Sequence, residues 1–203
     1  MDRTPNIAIL ILAAGNSSRM NRPKQLLPWK NTFLLNHVIK IAQFISKENI
    51  YVVLGAHYDL IKPKIKKKDI TLIVNNDWQK GMGKSIALGA QHIKNSYINF
   101  DAILILLADQ PLFNKDYLKQ LINKFQVGNH QIIASLYGTK TIGVPALFDH
   151  YYFNELSQLK LDIGARILIK TYIQNVKYID ANNFSADIDT KEDYELLYQA
   201  NHQ

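Results

Sequence analysis

Apolar residues in this chain fall in short dense runs, separated by polar turn-forming stretches and by segments of helical spacing. Six runs read as strands: residues 7–12, 50–54, 70–74, 103–107, 131–136 and 176–179. The first two are continuous and rich in β-branched residues, which suits strands covered on both faces rather than half-exposed ones. Helical spacing predicts helices between them. In residues 33–42 the apolar positions 34, 35, 38, 41 and 42 share one face. Further helices are expected over 58–65, where Pro63 weakens the pattern, and over 85–92, 115–125, 164–170 and 190–200. The last opens with Thr190-x-x-Asp193, a relative of the capping box. Residues 138–145 read as a loop and 147–156 as mixed helix and turn. Strands alternating with helices predict an α/β fold, a three-layer α/β/α sandwich around a mostly parallel sheet. No repeat, low-complexity tract or linker divides the chain, so one domain over 1–203 is expected.

Composition narrows the chemistry. The absence of cysteine excludes disulfides, thiolate catalysis and cysteine-bound zinc. Residues 1–5 lead straight into the first strand without a signal-like segment, and no apolar run approaches the ~20 residues that span a bilayer, so a cytoplasmic protein is expected. A net charge of +7, from 24 Lys and Arg against 17 Asp and Glu, favours acidic partners such as nucleotides and phosphorylated metabolites. Part of the excess is Lys62, Lys64, Lys66, Lys67 and Lys68. No aromatic residue interleaves them, so they read as a solvated surface; neither a nucleic-acid nor a membrane partner is expected.

In open parallel sheets ligands gather at the carboxyl ends of strands. Four segments fall there: 13–24, 75–85, 108–111 and 187–189. The first carries Ala13-Ala14-Gly15-Asn16-Ser17-Ser18, followed by Arg19, Arg22 and Lys24. Small residues allow close backbone approach, and successive N–H groups with flanking cations make an anion site. The loop is neither a P-loop nor G-x-G-x-x-G. Lys24 offers a fixed ammonium to phosphate oxygens. Arg19 offers a planar fork to further phosphate oxygens. Asp109, directly after a strand, is a candidate Mg²⁺ ligand or a helix cap. Asp187 and Asp189 lie two apart, on one side of an extended segment; Asp189 also suits a helix cap. Ser85 suits a cap and Trp78 ordinary packing. The six histidines lack H-E-x-x-H spacing and no G-x-S-x-G occurs, which argues against a hydrolase elbow.

These segments also carry a resemblance. L-A-A-G-x-S-x-R-M at 12–20, followed by P-K-x-L-L-P at 23–28, resembles the signature of nucleotidyltransferases that join a nucleoside triphosphate to a phosphorylated acceptor. P-K-Q-L-L-P-W looks most like the molybdenum cofactor cytidylyltransferases. Residues 75–85 resemble N-x-x-W-x-x-G-M-G-x-S, 109–111 D-Q-P, 143–148 G-x-P-x-L-F, 162–166 the end of G-D-x-G-A-R, and 187–193 D-x-D-T-P-E-D. Departures are Asn21 for Gly, Val144 for a polar residue, Leu161 for Gly and Lys191 for Pro.

The resemblance implies a Rossmann-like nucleotide-diphospho-sugar transferase (GT-A-like) fold, and transfer of CMP from CTP to molybdopterin with release of pyrophosphate. It implies nucleotide contacts from Ala13, Ala14, Gly15, Asn16, Ser17, Arg19, Lys24, Asn75, Gly81, Met82, Gly83 and Ser85, with Lys24 and Arg19 catalytic. Asp109, Asp187 and Asp189 would bind Mg²⁺, and Gly143, Pro145 and Arg166 the acceptor. Arg166 alternatively pairs with a carboxylate in the core. A molybdoenzyme partner and a monomer or weak dimer are further implications. Related families on this scaffold use GTP or sugar and polyol phosphates. Two other readings stay open: a nucleotide- or cofactor-binding chaperone without turnover, and a basic nucleic-acid binder.

Overall fold

The first apolar run forms β1, Ile7–Ala13, and all its residues are buried. Side chains alternate across a strand. Ala8, Leu10 and Leu12 therefore enter one hydrophobic core, while Ile7, Ile9, Ile11 and Ala13 enter a second on the opposite face. The structure, a computed structural model, describes residues 3–20, 22–65, 69–160, 162, 164–184 and 186–202. The expectations at Asn21, Lys66, Lys67, Lys68 and Leu161 lie outside the described residues.

A two-stranded ribbon, β2 (Pro28–Trp29) and β3 (Thr32–Phe33), leads into α1 (Leu34–Ala42). Then follow β4 (Ile50–Leu54), α2 (Tyr58–Ile61), β5 (Ile70–Val74), α3 (Met82–Lys94) and β6 (Ala102–Leu107). The second half holds α4 (Lys115–Lys124), β7 (Ile132–Tyr137), β8 (Thr141–Asp149), α5 (Phe153–Ser157), α6 (Arg166–Thr171), β9 (Val176–Asp180) and α7 (Lys191–Asn201). The seven-stranded sheet has the order β5-β4-β1-β6-β8-β7-β9. All its strands run parallel except β8, which is antiparallel to both neighbours. Apolar faces of α3, α5 and α6 cover one side of the sheet, and those of α1 and α4 the other. This is the expected mostly parallel α/β architecture.

A strand, β8, corrects the expectation of a loop over 138–145 and of mixed helix and turn beyond it. Gly143 and Pro145 gave the loop signal. Proline has no N–H for a ladder and is tolerated in a sheet at a bulge. The register supplies one: Ala134 pairs with Ala146 but Ser135 with Gly143, leaving Val144 and Pro145 as the extra residues. Their carbonyls are satisfied by side chains, Pro145 by the Ser135 hydroxyl at 2.7 Å and Val144 by the Tyr137 hydroxyl.

Smaller differences have local causes. Helix 58–65 ends early, at α2, and passes into a 3₁₀ turn, Lys62–Lys64, that contains Pro63. The helix expected from Ser85 begins at Met82, and the one expected from Gly164 begins at Arg166, because Gly164 sits at φ +60°. Among the described residues no helix is long and apolar enough to cross a membrane.

Candidate active site

The carboxyl ends of β1, β4, β5, β6 and β7 open on one edge of the sheet, as parallel strands require, and the start of the reversed β8 joins them. The loop after β1 is held down there. The Gln25 side chain, buried, donates from Nε2 to the carbonyls of Ala13 (2.8 Å) and Gly15 (3.0 Å). Ala56 N–H donates to the Ala14 carbonyl at 3.1 Å, and Gly55 packs so closely that an added Cβ would lie 2.6 Å from Trp78 Cβ. Ser17 takes a left-handed backbone (φ 54°), and its hydroxyl accepts from the Lys24 N–H at 3.0 Å. A Cβ on Gly15, by contrast, would meet nothing within 4 Å. The loop is clamped from below and open above.

Asp109 follows β6, whose ladder with β1 is extended by the Ala108 N–H donating to Leu12. The segment carrying Asp187 and Asp189 reaches this point through a third apolar cluster. Fully buried Ile188 packs there with Met20, Leu27, Trp29, Leu34 and Tyr194. Its N–H donates to the Asp109 carbonyl at 3.1 Å. Ile188 thus brackets its two flanking carboxylates against the ends of β1 and β6.

At the centre stands the Lys24 ammonium. It donates to Asp109 Oδ2, lies 3.4 Å from Asp189 Oδ1, and also approaches the Ile188 carbonyl at 3.3 Å. Burial works against this charge, but Asp109 and Asp189 outweigh it, and the Lys24 pKa is raised. Arg19 Nη2 stands 3.5 Å from Asp189 Oδ2. Asp187 turns aside, accepting from Gln110 Nε2 at 2.8 Å. Its cavity side is open to water, yet surrounding protein penalises its charge, and the neighbouring Asp109 and Asp189 add repulsion; its pKa is raised despite the Gln110 hydrogen bond.

The three carboxylates expected to bind metal are therefore not one chelating group. Among the described residues no set of three His, Cys, Asp or Glu is gathered closely enough to hold a metal. Asp109 and Asp189 share a cation, while Asp187 is held by Gln110. The oxygens of Asp109, Asp189 and the Ile188 carbonyl around one positive charge are nonetheless the hard donors that Mg²⁺ or Mn²⁺ takes.

Two cavities adjoin at this edge. One, of about 340 Å³, is lined by Ala13, Ala14, Gly15, Asn16, Lys24, Gly81, Met82, Ser85 and Asp109. The other, of about 440 Å³, is lined by Gly143, Arg166, Asp187 and again Met82. Leu12, Leu107 and Asp162 belong to both walls. Asp162 Oδ1 accepts from the Met82 N–H at 3.4 Å, at the start of α3, and Gly81 (φ +95°) leaves the space it needs. Gly143 lies beneath Arg166.

Six sequence-predicted residues line neither cavity, among them Arg19 and Asp189, which face each other as described above. Asn75 is buried, where its amide donates to Ser85 Oγ (2.9 Å) and its carbonyl oxygen accepts from Asp77 N–H, so it shapes the loop from behind. Gly83 is buried inside the first turn of α3. Ser17 acts on the Lys24 backbone. Pro145 is buried in the bulge of β8 instead of facing the acceptor cavity. Sequence reasoning missed Gln25, Gln110, Tyr137 and Asp162. The first two sit inside the quoted motifs, directly beside Lys24 and Asp109, and a polar side chain flanked by such residues was the available signal. Trp78, read as packing, does pack against Gly55 but also lines the smaller cavity.

A family model described as "MobA-like NTP transferase domain" matches residues 9–176. The chain is 31% identical over 211 residues to the purine catabolism protein PucB of Bacillus subtilis, covering 98% of each. It is 29% identical over 204 residues to nicotine blue oxidoreductase of Paenarthrobacter nicotinovorans, covering 95% of this chain and 97% of that one. Among solved structures, Rv0371c of Mycobacterium tuberculosis matches with a TM-score of 0.82 at 25% identity, over 97% of this chain and 99% of that one.

Proposed function

Because the chain belongs to the MobA-like NTP transferase family, we propose that this nucleotidyltransferase moves CMP from CTP to a phosphorylated acceptor of the molybdopterin type. One observation carries the reading: two carboxylates converge on the Lys24 ammonium, which lines the smaller of two adjoining cavities. One cavity takes the triphosphate over the Gly15 loop, and the other takes the acceptor with Arg166 at its phosphate. An acceptor phosphate oxygen attacks the α-phosphorus, the new P–O–P bond forms, and the bond to pyrophosphate breaks. No protein nucleophile is required. Lys24, kept protonated by its carboxylate neighbours, stabilises charge that grows on the α-phosphate oxygens, and Arg19 neutralises the departing pyrophosphate.

Asp109 and Asp189, joined by Asp187 if Gln110 releases it, are the residues that would hold Mg²⁺. A bound divalent cation supplies charge neutralisation to the triphosphate. Rv0371c has also been solved in complex with manganese, so Mn²⁺ belongs beside Mg²⁺ in any assay.

The name of one relative raises hydride transfer as a second reading. The chain lacks the G-x-G-x-x-G of dinucleotide folds, and its crevice gathers charges that suit phosphates. Pyrophosphate release is the deciding assay, run with each of four triphosphates, with Mg²⁺ or Mn²⁺, and with molybdopterin or polyol phosphates. Release that depends on both CTP and molybdopterin is expected. Nucleotide binding without release under any pairing would overturn the reading.

A further inference from the structure

Another surface cavity shares no lining residue with this crevice. It measures about 550 Å³ and is formed between the β2–β3 ribbon, α1 and the start of α4. Three ammonium groups surround it, Lys30, Lys40 and Lys115, and no carboxylate lines it among the described residues. None of the three takes part in an ion pair among the described residues. Their uncompensated charges therefore face one concavity. The wall also carries Ile41, Phe44 and Phe113, beside the polar Asn31, Thr32, Asn36 and Asn114; Phe44 is exposed, with the Lys115 ammonium 5.4 Å from its ring centroid.

His37 closes the inner end. It is 91% removed from solvent, and its Nε2 lies 3.1 Å from the Pro111 carbonyl. A carbonyl only accepts, so Nε2 carries the proton and Nδ1 is left as an acceptor, without a hydrogen-bond partner among the described residues. Burial and then nearby Lys30 lower its pKa to about 4, which keeps the ring neutral. A cavity of a few hundred Å³ with an apolar wall and a few convergent polar groups is the usual form of a small-molecule site.

We propose that this cavity binds a small amphipathic organic anion, with a flat apolar body against Phe44 and Ile41 and a phosphate, sulfonate or carboxylate among Lys30, Lys40 and Lys115. A donor on the ligand body pairs with His37 Nδ1. Size and charge both favour such a ligand over a protein partner: the cavity has a small-molecule volume, and three lysines without a carboxylate line it among the described residues.

The test is a fluorescence titration of the full chain with 8-anilinonaphthalene-1-sulfonate, beside its uncharged relative N-phenyl-1-naphthylamine. Lys40→Glu/Lys115→Glu is expected to weaken the sulfonate about tenfold, and the uncharged probe should bind wild type about tenfold more weakly than the sulfonate. The control pair Lys62→Glu/Lys64→Glu removes as much charge elsewhere and should stay within about twofold of wild type. If the reversed pair fails to fold, Lys40→Gln/Lys115→Gln carries the same expectation. Equal losses in both pairs, equal affinity of both probes, or no saturable binding would each overturn the assignment. So would an acidic peptide that binds through Lys40 and Lys115 while neither probe saturates.

Discussion

Replacing Lys24 with Ala removes the cation shared by Asp109 and Asp189 and the charge proposed to meet the α-phosphate. A fall in kcat of about 10²–10³-fold is expected, read by pyrophosphate release, with the fold retained in circular dichroism. Gly15 offers a cleaner separation of folding from binding. A methyl group there touches no protein atom, so Gly15→Ala should leave the melting temperature unchanged. It would stand where the triphosphate is placed and should raise KM for CTP about tenfold. His37 gives a pH prediction of definite sign. Its folded pKa of about 4 lies below the ordinary 6.5, so the unfolded chain takes up the proton first. Its effect is nil above neutrality, and stability falls as pH drops from about 6.5 towards 4, by up to about 1.4 kcal/mol per unit. Denaturant melts of His37→Gln across that window should show the shallower slope; equal slopes would place the lost stability in other groups. Asp109 stood out in the sequence because it follows an apolar strand, and Lys24 because of the signature that the loop resembles. Asn75 was legible as a motif member, but its role was not, because only packing shows that its amide points at Ser85 instead of into the cavity.

Elements show the same division between what local pattern encodes and what tertiary context decides. The continuous apolar runs of β1 and β4 announced strands covered on both faces, and both strands are buried throughout. Strand β8 was hidden because Gly143 and Pro145 carry loop signals, and the compensation lies on another strand, in the Ser135 and Tyr137 hydroxyls. Helix α7 was legible from its first residue. Thr190 Oγ accepts from the Asp193 N–H at 3.1 Å, and Asp193 accepts in return from the Thr190 N–H at 2.8 Å. Thr190→Ala should cost about 1 kcal/mol in denaturant melts. It should also loosen Asp189, whose N–H donates to the same Asp193 carboxylate, so activity is expected to fall with stability. Helix α3 rests on β1 through Gly89, where an added Cβ would collide with the buried Leu10 side chain. Gly89→Ala should therefore destabilise by about 1–3 kcal/mol, with the melting temperature as readout.

At the scale of the molecule, the two adjoining cavities differ in what the second half of the sheet contributes. The loops after β1 and before α3 line one; Tyr137 of β7, Thr141, Gly143 and Val144 of β8 and Arg166 of α6 line only the other. Arg166→Ala should therefore raise KM for the acceptor about tenfold and leave KM for the triphosphate unchanged; a shift in both would merge the two sites into one. The alternating strand–helix pattern announced every strand of the seven-stranded sheet except β8, where chain direction reverses, and gave no sign of the β2–β3 ribbon. That reversal has an evolutionary consequence. Because β8 doubles back on β7, the turn between them, residues 138–140, is exposed and lies between Tyr137 and Thr141, which line the cavity proposed for the acceptor. A lineage can lengthen or rewrite that hairpin tip without disturbing the strands that cradle the nucleotide, so taste for a new acceptor can drift while the phosphate chemistry is inherited intact.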